Sequence, residues 1–498
     1  MLMKNIIKPN CYQDSVVLMS ISAQLKNIAG IKEISLVMGT PQNKNILKER
    51  GLLTEDGEKA SPADLLIALK LENEQEIEAV LNKLDQKLFN KEQYNEENGI
   101  SNPKTFKNAL GIIPDANLVL ISTPGRYAKY EALNALNENC HVMIFSDNIP
   151  IKDEIELKHK AFDKNLLLMG PDCGTAIING IGLGFANKVN KGSIGIVGAS
   201  GTGIQEVSSI ISRYGGGISN AIGTGSNDIK NTVGGLTMLL GIKFLKADPE
   251  TKVIVLISKP PDKEVVDKIV KEIENCNKPF VINFLGQPLK EDKPPEYYYA
   301  KTLEDTALKA LSLIDIHPSL PIAKEIPAHN KGKFIRGLYS GGTLCSEALL
   351  ILSEIIKPEE LYSNVKFKNV GICHGMSCQK HSILDLGADE FTVGVPHPMI
   401  DFNLRNEFII KTAQDKEVGV VLLDIVLGYG ANDDPAGAIV PAIKQAKLIN
   451  SDLIFIASIC GTEEDLQNFE KQKQMLLYAG VILLPTNAMA VKAAVELI

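Results

Sequence analysis

Residues 194–203 read Ile194-Gly-Ile-Val-Gly-Ala-Ser-Gly-Thr-Gly203, an apolar strand running into a glycine-rich turn. Ile204-Gln-Glu-Val207 then opens a helix. Residues 335–344, Ile335-Arg-Gly-Leu-Tyr-Ser-Gly-Gly-Thr-Leu344, do the same. The echo continues: the strand-to-loop stretch 253–260 is answered by 418–428, and 281–287 by 453–461. An internal repeat on this scale predicts two related flavodoxin-like layers with parallel sheets. They should face each other, with ligands at the carboxyl ends of the strands.

Working outward, the strand–helix alternation covers nearly the whole chain. Strands are expected at 31–38, 64–71, 118–122, 141–145, 166–169, 194–197, 253–257 and 280–284, with helices at 44–51, 74–88 and 127–137. A helix starting at Asp14 or Ser15 stops at Gly30. Polar residues 89–107 read as an exposed loop, and the Pro- and His-bearing stretch 315–333 as a linker. The fold class is therefore α/β. We divide the chain into a small α+β N-terminal domain (1–110, ferredoxin-like), a Rossmann-like domain of the CoA-binding type (111–190), and two flavodoxin-like ligase-type domains (191–320 and 333–498).

Composition bounds the function. The 498 residues are 45% apolar and 22% charged, ordinary globular values that exclude a disordered or fibrous chain. A net charge of -8, no Trp and 5% aromatics argue against a nucleic-acid surface. No apolar run approaches the ~20 residues that span a bilayer, and the start lacks a signal-peptide core. Eight thinly spread cysteines suit a reducing cytoplasm rather than a disulfide framework.

Several places could carry chemistry. The Gly198–Gly203 turn offers outward N–H groups and a helix dipole, so Ser200, Gly201 and Thr202 form a candidate phosphate cradle; the plain alternative is a tight packing turn. It lacks the Gly-Lys-Ser/Thr of a Walker sequence. Gly428 and Gly430, in the turn 427–437, are the second cradle, with Asp433 or Asp434 capping the next helix and Pro435 in its first turn. Lys259 follows a strand, where an amine meets a phosphate or simply solvent. In Val395-Pro-His-Pro-Met-Ile-Asp401 two prolines stiffen His397, a candidate donor to a carbonyl oxygen, and Arg405 offers a fork for a carboxylate or phosphate. Asp401 is either part of that site or a helix cap. Cys173, in Gly170-Pro-Asp-Cys-Gly-Thr175, has no His/Asp beside it and reads as a packed thiol. Cys373, His374, Cys378 and His381 lack a second paired knuckle, so no metal site is expected, and His381 is placed in a loop.

Ser122-Thr-Pro-Gly-Arg-Tyr-Ala128, Phe145-Ser-Asp-Asn148, Met169-Gly-Pro-Asp-Cys-Gly-Thr175, Gly198–Gly203, Val395–Asp401 and Leu423-Asp-Ile-Val-Leu-Gly-Tyr-Gly430 together resemble the FdrA family of the succinyl-CoA synthetase superfamily. The likeness extends to Met38-Gly-Thr40. In the synthetases two helix N-termini hold the phosphate of a phosphohistidine, and the resemblance puts 198–203 and 427–430 in those places. It also shows departures. Lys259 stands where the synthetases have Glu, and Phe284-Leu-Gly-Gln-Pro-Leu-Lys290 has no histidine where they carry the phosphorylated one. The resemblance implies a cytoplasmic subunit of oxamate carbamoyltransferase, converting oxalurate and phosphate to oxamate and carbamoyl phosphate with two companion subunits. Lys259, His397 and Arg405 are its expected catalytic residues. Arg126, Asn148, Cys173 and Asp401 are expected against substrate. No cofactor is required, and CoA is a further candidate ligand. The alternatives are an acyl-CoA synthetase or CoA-dependent transferase, and a non-catalytic scaffold whose partners own the site.

Overall fold

The computed structural model describes residues 2–13, 17–18, 21–22, 25, 30–73, 77–86, 103, 105–274, 276–287, 292–319, 332–375, 379–392 and 395–498. It falls into two units: residues 1–116 with 389–401, and residues 117–388 with 402–498.

In the first unit, β1 (Leu2–Lys8), β2 (Ile31–Met38) and β3 (Leu65–Leu71) form an antiparallel sheet in the order β1-β3-β2, as in a ferredoxin-like layer. β3 is central, and its alternation shows why. Leu65, Ile67, Leu69 and Leu71 pack with Leu18, Leu25, Val80 and Leu84, while Leu66 and Ala68 pack with Leu47, Leu52 and Ala60. Helix α1 (Pro41–Glu49) starts before the expected residue 44 because the Asn43 N–H donates to Thr40 Oγ1 and proline occupies its first turn. Residues 77–86 are helical, inside the stretch expected to be so. Most of the expected loop 89–107 and of the linker 315–333 lies outside the described residues; Phe106–Ile112 is a helix.

The second unit begins with a parallel sheet of β4 (Leu118–Ile121), β5 (His141–Ile144) and β6 (Leu168–Met169), connected by α2 (Gly125–Asn137) and α3 (Ile151–Asp163). A seven-stranded sheet follows: β7 (Thr175–Ile178), β8 (Ile181–Gly184), β9 (Lys191–Gly198), β10 (Ile218–Gly223), β11 (Val253–Ser258), β12 (Phe280–Phe284) and β13 (Tyr297–Tyr299). Its helices are α4 (Gly201–Arg213), α5 (Leu236–Ala247), α6 (Lys263–Ile273) and α7 (Leu303–Ser312). The order β13-β12-β11-β9-β10 is flavodoxin-like. The β7–β8 hairpin extends this sheet from residue 175, ahead of residue 191. Asn179 and Gly180, both at positive φ, form its two-residue turn.

The last sheet holds β14 (Phe334–Tyr339), β15 (Leu361–Ser363), β16 (Gly371–Ile372), β17 (His381–Asp385), β18 (Val418–Val426), β19 (Ile454–Cys460) and β20 (Val481–Leu484). Helices α8 (Gly342–Leu352), α9 (Asn403–Thr412), α10 (Pro435–Ile449), α11 (Phe469–Tyr478) and α12 (Asn487–Val495) accompany it. Its core order β17-β14-β18-β19-β20 repeats the pattern of the preceding sheet. β9, β11 and β12 thus correspond to β14, β18 and β19, as the sequence echoes require. The α/β class with parallel-sheet domains and a small α+β N-terminal domain is what the structure shows. No helix among the described residues is long and apolar enough to cross a membrane.

One buried ionic cluster ties α3 to the layer of β7–β13. Lys158 donates to Asp228 Oδ1 and to the Thr224 carbonyl, each at 2.8 Å, with Glu154 at 3.3 Å. Asp228 in turn accepts the N–H groups of Thr237 and Met238 in the first turn of α5, satisfying orphan donors of that helix.

Candidate functional site

In each seven-stranded layer the strand order reverses between two neighbours, β9/β11 and β14/β18, and the crevice above such a switch is where these sheets take ligands. Ser200 follows β9 and Lys259 follows β11, so both stand at one switch point. Ser200 is the N-cap of α4, its Oγ accepting the Gly203 N–H at 3.0 Å. The first-turn N–H groups of Gly201 and Thr202 find no acceptor within the helix, as at any helix start, and both residues are half-buried. Lys259 is exposed. Its charge reaches Cys345 on α8, opposing the burial that drives that thiol well above its usual range.

The partner of the α4 tip is not the turn expected from sequence. It is the tip of α8. Ser200 Oγ and Thr343 Oγ1 share a hydrogen bond, and the Thr343 N–H donates to Thr202 Oγ1 at 3.3 Å. Gly341 is packed so closely that an added Cβ would lie 3.1 Å from Thr202. Two helix N-termini thus meet, but they are 200–203 and 340–343. The proposed cradle at Gly428 and Gly430 is corrected accordingly. The Gly428 N–H donates to Gln467 Oε1 and the Tyr429 N–H to the Ala186 carbonyl. A Cβ on Gly428 would strike that same carbonyl at 2.6 Å, and one on Gly430 would press on Phe185 at 3.1 Å. This turn closes the layer onto residues 185–188, and its Gly428 and Tyr429 amides are used internally.

Asp424, fully buried on β18, organises the α8 tip. It accepts the Ser340 N–H at 2.8 Å, the Gly341 N–H at 2.7 Å and the Ser340 hydroxyl at 3.0 Å. Arg405 completes it with a 2.6 Å bond from Nη2 to Asp424 Oδ1. The same guanidinium donates to the carbonyls of Leu338 and Asp424. Arg405 is fully buried on α9, and burial lowers its pKa against the pull of Asp424. It is a positioning residue and does not face a substrate anion. Because the Ser340 and Gly341 amides already hold a carboxylate, and Asp385 lies against Gly342, the α4 tip is the better place for a free anion.

The other expected residues scatter. His397 and Asp401 fall in the first unit. His397 Nδ1 accepts the Met399 N–H at 3.2 Å, and Phe402, not Asp401, takes the cap position of α9. Asp434 caps α10 in position, with Pro435 next, but its carboxylate accepts from Gln472. Arg126, stacked over Tyr127, and Asn148 are exposed beyond the carboxyl ends of β4 and β5. Cys173 is buried with its pKa pushed up to about 12, chiefly by burial, which makes it a packing thiol and not a substrate contact. His381 lies buried at the start of β17, where the Ile335 N–H donates to its Nδ1, rather than in a loop. Cys373 is disulfide-bonded, and Cys378 is outside the described residues.

A second buried group escaped sequence reasoning. Glu206 and Glu347 occupy the same place in the two repeats, four residues after Thr202 and Thr343. Asn487, opening α12, joins them: its N–H donates to Glu206 and its amide nitrogen to Glu347 at 2.8 Å. Burial raises both carboxyls, that of Glu347 to about 7. The shared Gly-Thr-x-x-x-Glu spacing was the signal available.

Comparison with known proteins now bears on this geometry. The uncharacterized protein YahF of Escherichia coli (strain K12) is 42% identical over 508 aligned positions, covering 97% of this chain and 96% of that protein. The chain belongs to the YahF family. Family models for a CoA binding domain and a CoA-ligase match residues 189–286 and 338–497, placing the YahF-type fold in the CoA-ligase superfamily. A model described as AllF, heavy metal-associated domain matches residues 1–104. The succinate–CoA ligase [ADP-forming] subunit alpha of Aquifex aeolicus is 29% identical over 184 residues, 35% of this chain and 59% of that one. The solved acetyl-coenzyme A synthetase 1 of Ca. Korarchaeum cryptofilum, in complex with phosphate and ADP, is 14% identical. It covers 76% of this chain and 82% of that chain at a TM-score of 0.33, a likeness too loose to build on. A heavy metal does not fit the N-terminal domain as it stands. Residues 1–104 hold one cysteine, Cys11, and no histidine, whereas soft metals want paired thiolates or imidazoles. Among the described residues no group of three or more ligating side chains gathers.

Proposed function

We propose that this chain is an FdrA-like subunit of an oxamate carbamoyltransferase, working with two companion subunits. The observation that carries the reading is the α4 tip, whose Gly201 and Thr202 amides open the helix after β9, with Lys259 following the neighbouring strand β11 at the same switch point. Such a place suits phosphate or the phosphoryl end of carbamoyl phosphate. A phosphate oxygen attacks the carbamoyl carbon of oxalurate, the bond from that carbon to the oxamate nitrogen breaks, and that nitrogen takes the proton the phosphate gives up. Positioning and charge stabilisation supply the catalysis, with no protein nucleophile. The AllF-type N-terminal match supports an allantoin-related role.

The test is reconstitution with copurifying partners and assay of phosphate-dependent oxalurate cleavage. Lys259→Ala should raise the KM for phosphate about tenfold, the scale of losing one charged hydrogen bond; an unchanged KM removes Lys259 from the site. The CoA binding and CoA-ligase matches favour a second reading, an acyl-CoA synthetase-like enzyme. Incubation with labelled ATP separates the two. The synthetase reading expects a phosphorylated chain, and the carbamoyltransferase reading expects none.

A further inference from the structure

A cavity of about 330 Å³ opens away from the proposed phosphate site, between the two seven-stranded layers of the second unit. It lies at the carboxyl end of β12, where Gly286 and Gln287 face the far end of α8 and Lys368. Leu350 in its wall is eight residues along α8 from Gly342, about 12 Å at the helical rise. The volume corresponds to about eleven waters at ~30 Å³ each, room for an organic molecule of about ten non-hydrogen atoms.

The lining is divided by chemistry. Phe284, Tyr299 and Leu350, each less than a tenth exposed, make an apolar floor. Lys301, Lys368 and Glu354 form a charged rim. Lys301 and Glu354 neutralise one another across 2.5 Å. Lys368 has no carboxylate partner among the described residues, and its ammonium stands 5.7 Å from the Phe367 ring centre. Two ammonium groups and one carboxylate leave one positive charge. The Lys368 backbone is held at φ 35°, a conformation that non-glycine residues adopt at a cost. Opposite it, Gly286 at φ 79° lets the β12 loop approach the lysine stem, and a Cβ there would come within 3.3 Å of Lys368 Cε. Gln287 is steadied by donating to the Pro261 carbonyl at 2.9 Å. An apolar floor beneath one unbalanced cation recognises an amphipathic monoanion. We propose that this cavity binds a small monocarboxylate with an apolar body, its carboxylate on Lys368 and its body against Phe284, Tyr299 and Leu350. This site stands independently of the proposed phosphate site.

Benzoate is the probe, with benzamide as its uncharged near-isostere, titrated into the full chain by calorimetry or ligand-observed NMR. Wild type should bind benzoate at about 10 mM or tighter, and benzamide about tenfold more weakly. Lys368→Met should lose about tenfold in benzoate affinity. Lys368→Arg should retain binding, and so should Lys366→Met, at an exposed neighbour outside the lining. Retained thermal stability in Lys368→Met separates loss of the site from loss of the fold. No benzoate binding by wild type, equal binding of benzamide, or a loss below about threefold in Lys368→Met would each overturn the assignment.

Discussion

Replacing Arg405 by methionine separates two roles an arginine can play. As a substrate ligand it could be removed with little effect on stability. In the structure its loss strips Asp424 of a 2.6 Å ion pair and leaves the Leu338 and Asp424 carbonyls without their donors. All of these atoms are buried, so water cannot replace the lost partners. Removing one member of a buried pair typically costs about 3–5 kcal/mol. Two features moderate that figure here. Asp424 keeps three donors from Ser340 and Gly341, and Arg405 Nη1 has no hydrogen-bond partner, so its desolvation is relieved. About 3 kcal/mol is therefore the expected destabilisation of Arg405→Met. Urea titration of the full chain, followed by circular dichroism, measures it. Arg405→Lys should recover only part, because an ammonium cannot span the carboxylate and both carbonyls at once. A variant as stable as wild type to within about 1 kcal/mol, yet unable to use its carboxylate substrate, would refute the positioning role.

Two further outcomes follow from buried charge. The Glu347 carboxyl has its pKa raised from 4.5 to about 7, so the folded chain keeps a proton that the unfolded chain releases. The stability this lends is present below pH 4.5 and is lost as the pH rises through 7; it amounts to about 3 kcal/mol at ~1.4 kcal/mol per pH unit. In Glu347→Gln the difference in unfolding free energy between pH 5 and pH 7.5 should shrink by about that amount, and an unchanged slope would show that Glu347 does not titrate there. Lys158→Met leaves Asp228 and Glu154 buried without their cation and should cost about 3–5 kcal/mol; a thermal midpoint equal to wild type would contradict the buried cluster.

The features legible in the sequence are those that act over a few residues. Alternating strands and helices, the β9–α4 turn and its echo at β14–α8 are written in apolar runs, glycines and caps, whose physics is local. Other local signals lie in the same stretches. Asn179-Gly180 marks a hairpin, Thr40-Pro41 marks the start of α1, and the paired Gly-Thr-x-x-x-Glu marks two matched carboxyls. Of the candidate site, only the helix start at Ser200 was legible, for the same reason. The α4 tip could be found, but its partner could not be chosen between two glycine-rich turns, because that choice depends on how two sheets pack.

By itself, the amino-acid order determined the α/β class, the duplicated layers and the presence of a capped helix start at Ser200–Thr202. Only tertiary packing decided that this start meets Thr343 rather than Gly428. It also turned Arg405 inward to Asp424 and grouped His397 with the N-terminal unit. The reason is range. Periodicity and turn chemistry are settled between near neighbours, whereas Arg405 reaches the Leu338 carbonyl across 67 residues and Ser200 reaches Thr343 across 143. Those partners exist only once both sheets have closed their cores.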